Sequence, residues 1–204
     1  YKKALKLHDR IASNLMFAIS GRIRVYMGDM ENAETILYNS YAEARELRYG
    51  WGLYYSLCGI CFFQFQKGNY EASREALFLA RQAARDYEFF PINASPFLLD
   101  VMKMIRDYHL EPVDDFDYAT QLDNYLHSNN NHLKGVAYRH IALETRESNG
   151  NTSAVKDNLH TSITLLEQSG NDKELYKSCV ALAKIFLDEN DEKKGHGELL
   201  KRHP

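Results

Sequence analysis

Proline is scarce in this chain: four residues in 204, at positions 91, 96, 112 and 204. With so few breakers and no sustained alternation of apolar and polar residues, most of the length is free to be helix and no segment specifies a strand. Cysteine is scarce too. Three residues, at 58, 61 and 179, are too few and too odd in number for the disulfide framework of a small secreted domain, and they point to a reducing, cytoplasmic setting. No apolar run approaches the roughly 20 residues that span a bilayer. No charged-then-apolar leader opens the sequence. The charges nearly cancel, 25 basic against 28 acidic, so no global field draws in nucleic acid or an anionic membrane surface, and neither is expected as a direct partner.

What is present is helical periodicity over a length sufficient to bury a substantial core. The fold class expected is all-α. The chain opens Tyr1-Lys2-Lys3 without an initiator methionine, and Leu5, Ile11, Leu15 and Ile19 already follow helical spacing. That combination leads us to expect a segment of a larger protein.

The strongest signal is an internal repeat. Gly28-Asp29, Gly68-Asn69, Gly150-Asn151 and Asn190-Asp191 each end an apolar periodic segment, at spacings of 40, 82 and 40 residues. Five residues after these anchors stand Ala33, Ser73, Val155 and Gly195; nine after them stand Leu37, Leu77, Leu159 and Leu199. Seven before them stand Gly21, Cys61 and Ala183, with the third unit matching one residue out of phase at Ile141-Ala142. Small residues at a fixed point let two helices approach. Gly or Asn at the junction suits a helix end with positive φ, and the Asp or Asn that follows suits the next helix start through capping and the dipole.

Each unit thus reads as helix, tight turn, helix. The 82-residue gap holds a degenerate unit whose turn is expected near residue 109, in the helix-breaking stretch His109-Leu110-Glu111-Pro112-Val113. Ser95-Pro96 opens one of its helices and Asp114-Asp115 the other. A single domain of about five hairpins is expected over residues 1–204: 3–48, 50–89, 96–128, 131–169 and 171–203.

Gly28-Asp29-Met30-Glu31 and Gly68-Asn69-Tyr70-Glu71, followed by Ala33 or Ser73 and then Leu37 or Leu77, resemble the tetratricopeptide repeat family over nearly the whole chain. The period of about 40 is longer than the family's 34, and the middle unit lacks the glycine. The resemblance implies a superhelical stack of hairpins with an inner face that binds a protein or peptide.

Chemistry has few footholds. Cys58-Gly59-Ile60-Cys61 is a CxxC placed mid-helix between apolar residues, with Cys61 on the small-residue repeat position; it reads as packing. The eight histidines form no metal-binding motif, and Asp114-Asp115-Phe116-Asp117 lacks the glycine and alternation of a calcium loop. No phosphate-cradling or nucleophile-elbow motif occurs. Neither a catalytic site, nor a metal, nor a cofactor is expected.

Tyrosine is abundant, 14 residues, and combines apolar area with a polar tip. In tetratricopeptide arrays the inner surface comes from the first helix of each hairpin. Matching offsets from the resemblance put Arg22, Tyr26, Tyr55, Phe62, Arg139, Arg146, Lys177 and Lys184 on one groove. Such a groove would hold a carboxylate-bearing peptide or an acidic segment, with arginine supplying forked hydrogen bonds. Asn131-His132-Leu133-Lys134-Gly135-Val136-Ala137-Tyr138-Arg139 is similar to a stretch in the sensor regions of bacterial transcriptional activators that carry an ATPase domain. That resemblance implies a regulatory, signal-reading module that binds a protein or peptide, or other domains of its own chain. A peptide-pheromone receptor and an assembly scaffold or chaperone adaptor are the alternatives, and a homo-oligomer is compatible with each.

Overall fold

The computed structural model describes residues 2–89, 95–113, 117–170 and 172–189, with side chains from Asp9 onward. Among them the chain is all-α: α1 (Lys2–Met27), α2 (Met30–Glu46), α3 (Gly50–Gln66), α4 (Tyr70–Asp86), α5 (Phe97–Asp107), α6 (Tyr118–Leu126), α7 (Asn131–Glu147), α8 (Thr152–Ser169) and α9 (Asp172–Asp188). No helix among the described residues is long and apolar enough to cross a membrane. The helix start expected at Asp114-Asp115, the Asn190-Asp191 anchor and residues 191–203 of the last hairpin, including Gly195 and Leu199, lie outside the described residues.

One device ends six of the helices. A residue with positive φ stands at Gly28, Arg48, Gly68, Glu88, His109 and Asn149, and the first five are 20 or 21 residues apart. At each, the next amide donates to a carbonyl five residues back: Asp29 to Arg24, Tyr49 to Ala44, Asn69 to Gln64, Phe89 to Ala84, Leu110 to Ile105 and Gly150 to Thr145. This is the Schellman closure, which satisfies carbonyls that the helix end leaves open. The turn in the long gap falls at His109.

Three junctions differ from the sequence reading. In the α7–α8 turn the left-handed residue is Asn149, and Gly150 is one extra residue after it. A Cβ on Gly150 would lie 2.7 Å from the Thr145 carbonyl oxygen. That insertion is why the third unit matched out of phase. Asp29 and Asn69 stand at helix starts but make no side-chain capping bond. Asp29 instead takes Arg24 at 2.5 Å and Asn32 at 2.8 Å, and Asn69 donates to Gln64 at 2.8 Å. Asn130 and Asn151 do cap, accepting from the amides of His132 and Ser153.

An L-residue in the left-handed region is strained by about 1–2 kcal/mol where glycine is not. Gly28→Ala, which meets no atom within 4 Å, is therefore expected to destabilise the chain by about 1 kcal/mol through the backbone alone. Glu88→Gly, at an exposed stop with φ 53°, is expected to stabilise it by about 0.5–1 kcal/mol. Urea denaturation of the two variants beside the parent checks both signs.

The chain divides into two compact units, residues 1–93 with 100–117 and residues 94–99 with 118–204. In the first unit α1 pairs with α2 and α3 with α4, while α3 also packs on α1 and α2. Helix α3 is apolar on every side, as a helix enclosed by neighbours must be. Leu37 of α2 lies at the centre, fully buried between glycines of two helices. A Cβ on Gly21 of α1 would sit 2.7 Å from its side chain, and one on Gly59 of α3 2.3 Å. Hydrogen bonds register the same seam: Asn14 Nδ2 donates to the Ser40 carbonyl at 2.7 Å, Ser40 Oγ to the Asn14 carbonyl at 3.0 Å, and the Ser40 and Ser56 hydroxyls meet at 2.9 Å.

The second unit repeats this pattern with different residues. Helix α7 pairs with α8, α9 packs on α8, and α6 packs on α7. Ser162 Oγ donates to the Gly135 carbonyl at 2.6 Å, and the Ser162 and Ser178 hydroxyls meet at 2.8 Å. Around them Leu159, Ile163, Cys179, Leu182 and Ile185 close the core between α8 and α9. Buried polar tips find partners, Tyr125 donating to the Ser95 carbonyl and Tyr118 meeting His140 Nδ1 at 3.1 Å.

Candidate partner-binding surfaces

Of the eight residues assigned to a groove, Arg22, Tyr26, Tyr55 and Phe62 belong to the first unit and Arg139, Arg146, Lys177 and Lys184 to the second. Each set is considered within its own unit.

In the first unit, Tyr26 of α1 and Phe62 of α3 meet with ring centroids 4.5 Å apart. Tyr26 is half-buried and Phe62 is fully buried. Phe62 therefore does not line an accessible face; it backs Tyr26, on a helix packed against α1, α2 and α4. About three turns towards the start of α3, Trp51 stacks on Phe89 at 4.2 Å and lies 6.1 Å from Tyr55. Trp51 keeps 37% of its surface exposed and Tyr55 is half-buried, so this strip of rings remains reachable.

Beneath the strip lies Cys58. Burial pushes its thiol up to about 11, against the hydrogen bond from Tyr54 and the charges of Arg22 and Arg81, which pull it down. A cation from α1 and another from α4 thus stand near one point on α3. Cys61, also buried, is pushed up to about 12 by desolvation. All three cysteines are buried free thiols. Desolvation thus favours the neutral thiol at both positions of the CxxC, as it does for cysteines that pack as small apolar residues.

In the second unit the charges assemble around a residue the sequence reading did not single out. Glu174 of α9 is fully buried. Arg139 of α7 donates to its Oε2 at 2.5 Å, and Lys177, one turn along α9, donates to its Oε1 at 2.8 Å. Arg139 is itself only 2% exposed, so it belongs to the interior of the unit and not to an open groove. Once drawn between the helices, the guanidinium needs a carboxylate, and Glu174 provides it. Lys173 completes the cluster, its pKa lowered first by burial and then by the charge of Lys177. His132 is likewise lowered, mainly by burial.

Arg146 lies towards the other end of α7, exposed and paired with Asp188 at 2.5 Å. It borders an open cavity of about 340 Å³ together with Thr152, Val155 and Ile185. Lys184 is exposed on α9. At spacings of four, seven and eleven from Lys173, the residues Lys177, Val180 and Lys184 share one helical face with it. The structure thus joins Arg139 to Lys177 and Tyr26 to Phe62, places Lys184 in line with Lys177, and sets Arg146 on a separate ion pair.

Glu174, Lys173, Arg81 and Trp51 are the contributors that the sequence reading missed. A signal existed for Glu174, since it stands three residues before Lys177 at helical ion-pair spacing. Among the described residues, no group of three histidine, cysteine, aspartate or glutamate side chains is arranged to hold a metal ion. No protein-family model matches the sequence, and no curated protein or solved structure matches it.

Proposed function

We propose that the chain is a protein- or peptide-binding helical module whose second unit takes an acidic segment of its partner on the α7–α9 face. One observation carries this reading: the buried Arg139–Glu174 pair balances its own charge, and Lys177, which reaches Glu174 from a partly exposed position, stands in line on α9 with partly exposed Lys173 and exposed Lys184. The buried pair fixes the geometry, and the partly exposed lysines supply the attraction. A carboxylate arriving beside Lys173 and Lys177 would relieve repulsion between like charges, which favours acidic over basic partners. The exposed rings of the first unit offer apolar area of the kind that recognition surfaces use.

Residues 131–139, which resemble the sensor regions of transcriptional activators, direct Leu133, Val136 and Ala137 into the core, and Gly135 is required because a Cβ there would sit 2.6 Å from Leu166. That likeness reflects helix pairing, so the proposal rests on the charged face. A regulatory setting for the module is compatible with it.

The test is titration of the chain with three labelled hexapeptides, all-glutamate, all-lysine and all-serine, followed by anisotropy. The glutamate peptide is expected to bind best, to weaken as salt rises, and to lose affinity about ten-fold or more in Lys177→Gln/Lys184→Glu, in which the glutamine amide can still donate to Glu174, with helicity unchanged. Preference for the lysine peptide, or undiminished affinity in the variant, would overturn the proposal.

A further inference from the structure

Asparagine followed by glycine occurs once in this sequence, at Asn149-Gly150. The α7–α8 turn calls for each of the two residues on separate grounds. Asn149 holds the left-handed position with φ 54°, which asparagine adopts more readily than most residues with a side chain. Gly150 leaves room for Thr145: a Cβ there would lie 2.6 Å from Thr145 Cγ2 and 2.7 Å from the Thr145 carbonyl oxygen. The Thr145 hydroxyl donates to the Ile141 carbonyl at 2.8 Å, which fixes the rotamer and keeps the methyl group in that direction. Close packing and a left-handed stop thus converge on a dipeptide with a reactivity of its own.

The backbone nitrogen of Gly150 can close a five-membered ring onto Asn149 Cγ, and glycine puts no side chain in the way. Once a base in solution takes the proton of the Gly150 N–H, the nitrogen attacks Cγ. A C–N bond forms, the bond from Cγ to Nδ2 breaks, and ammonia leaves with a proton from solvent. Water then opens the succinimide. Attack at Cγ gives aspartate; attack at the main-chain carbonyl carbon gives isoaspartate, whose main chain runs through Cγ and is longer by a methylene group. Amide plus water becomes carboxylate plus ammonium, and no oxidant enters.

In the folded chain the reacting nitrogen is held. The Gly150 amide donates to the Thr145 carbonyl at 2.7 Å, and ring closure must break that bond. The same carbonyl accepts the Ser148 hydroxyl at 3.1 Å, and the Asn149 amide donates to the Arg146 carbonyl at 3.0 Å. Asn149 and Gly150 are both exposed, so water and base reach the pair as soon as the turn opens.

We propose that Asn149 is a site of spontaneous deamidation that the α7–α8 turn holds shut, so that conversion to aspartate and isoaspartate follows opening of this turn. The product favours the open form. Its carboxylate stands at the C-terminal end of α7, where the helix dipole disfavours negative charge, and on the rim of a cavity that Asp188 and Glu189 also border. Arg146 on the same rim is already paired with Asp188. In isoaspartate the added methylene also shifts the Gly150 amide away from Thr145, and the closure at the end of α7 is lost. None of this rests on the acidic-partner reading, which concerns Lys173, Lys177 and Lys184.

The full chain is incubated in neutral buffer, folded or unfolded in guanidinium chloride, and peptide mapping that resolves aspartate from isoaspartate follows each asparagine. In the unfolded chain Asn149 is expected to convert faster than any other asparagine. In the folded chain it is expected to convert about ten-fold or more slowly than that. Hydrogen exchange of the Gly150 amide measures the open fraction of the turn, and the ratio of the two conversion rates is expected to follow it. Asn149→Gly, which suits the left-handed position, is expected to remove the signal at this turn and to keep the urea midpoint. Equal rates in the folded and unfolded chain, or folded-chain conversion faster than the open fraction allows, would overturn the proposal by showing that the turn holds nothing shut. Conversion of Asn149 no faster than that of the other asparagines in the unfolded chain would overturn it by removing the site.

Discussion

Replacing Arg139 with alanine is expected to destabilise the chain by about 3–5 kcal/mol, because it leaves Glu174 as a buried carboxylate with its principal partner gone. The geometry sets the size of the effect. Glu174 is fully buried, Arg139 is 2% exposed, and the two are 2.5 Å apart, so little solvent is at hand to take over the charge. Lys177 still reaches the other carboxylate oxygen at 2.8 Å from a partly exposed position, and it holds the loss within that range. Arg139→Met/Glu174→Met, which removes both charges and keeps the volume, is expected to recover most of the stability. Urea denaturation of the parent and the two variants is the measurement. A loss below about 1 kcal/mol for Arg139→Ala would mean that water or another group solvates Glu174.

The same residue shows where sequence reasoning stops. Counting offsets from the turns placed Arg139 on the inner face, yet the positions it matches in the other hairpins, Ala18 and Cys58, are 1% and 4% exposed. Both are small and buried, so the position that the offsets assigned to the inner face is an interior one in these helices. What reverses that argument is Glu174, 35 residues away on another helix, and no local pattern ties the two together. Phe62 is the mirror case. It matches Arg22 in the repeat, but α3 is flanked on both sides where α1 is not, and so an equivalent position is buried in one helix and half-open in the other.

The helical class and the stops at Gly28, Gly68 and His109 were legible, since each is a turn residue or stands beside a proline-bearing break. At Arg48 and Glu88 the hairpin bounds 3–48 and 50–89 marked the breaks, but the left-handed geometry was not legible, because neither residue favours positive φ by itself. They follow only from the 20-residue half-period, which holds the chain to a turn wherever the packing of the next helix demands one. Gly150 misled for the converse reason. It is needed for close approach to Thr145, and the left-handed position beside it is occupied by Asn149.

That glycines here serve approach as well as turning leads to the second large effect, at Leu37. Leu37→Ala is expected to cost about 3–5 kcal/mol, towards the upper end for a buried leucine. The side chain is fully buried and sits in a notch made by Gly21 and Gly59, which have no side chains to swing into the space it leaves. The notch also predicts how the loss can be reversed. Gly59→Ala alone puts a Cβ 2.3 Å from Leu37 Cδ2, and is expected to destabilise by about 1–3 kcal/mol as overpacking. In the Leu37→Ala background the same methyl enters the vacated volume, and alanine exceeds glycine in helix propensity by roughly 1 kcal/mol. Gly59→Ala is therefore expected to change sign, from destabilising in the parent to stabilising in the variant, with a coupling of about 1–3 kcal/mol. Additive urea midpoints for the two substitutions would show that α2 and α3 are not held in contact through this notch.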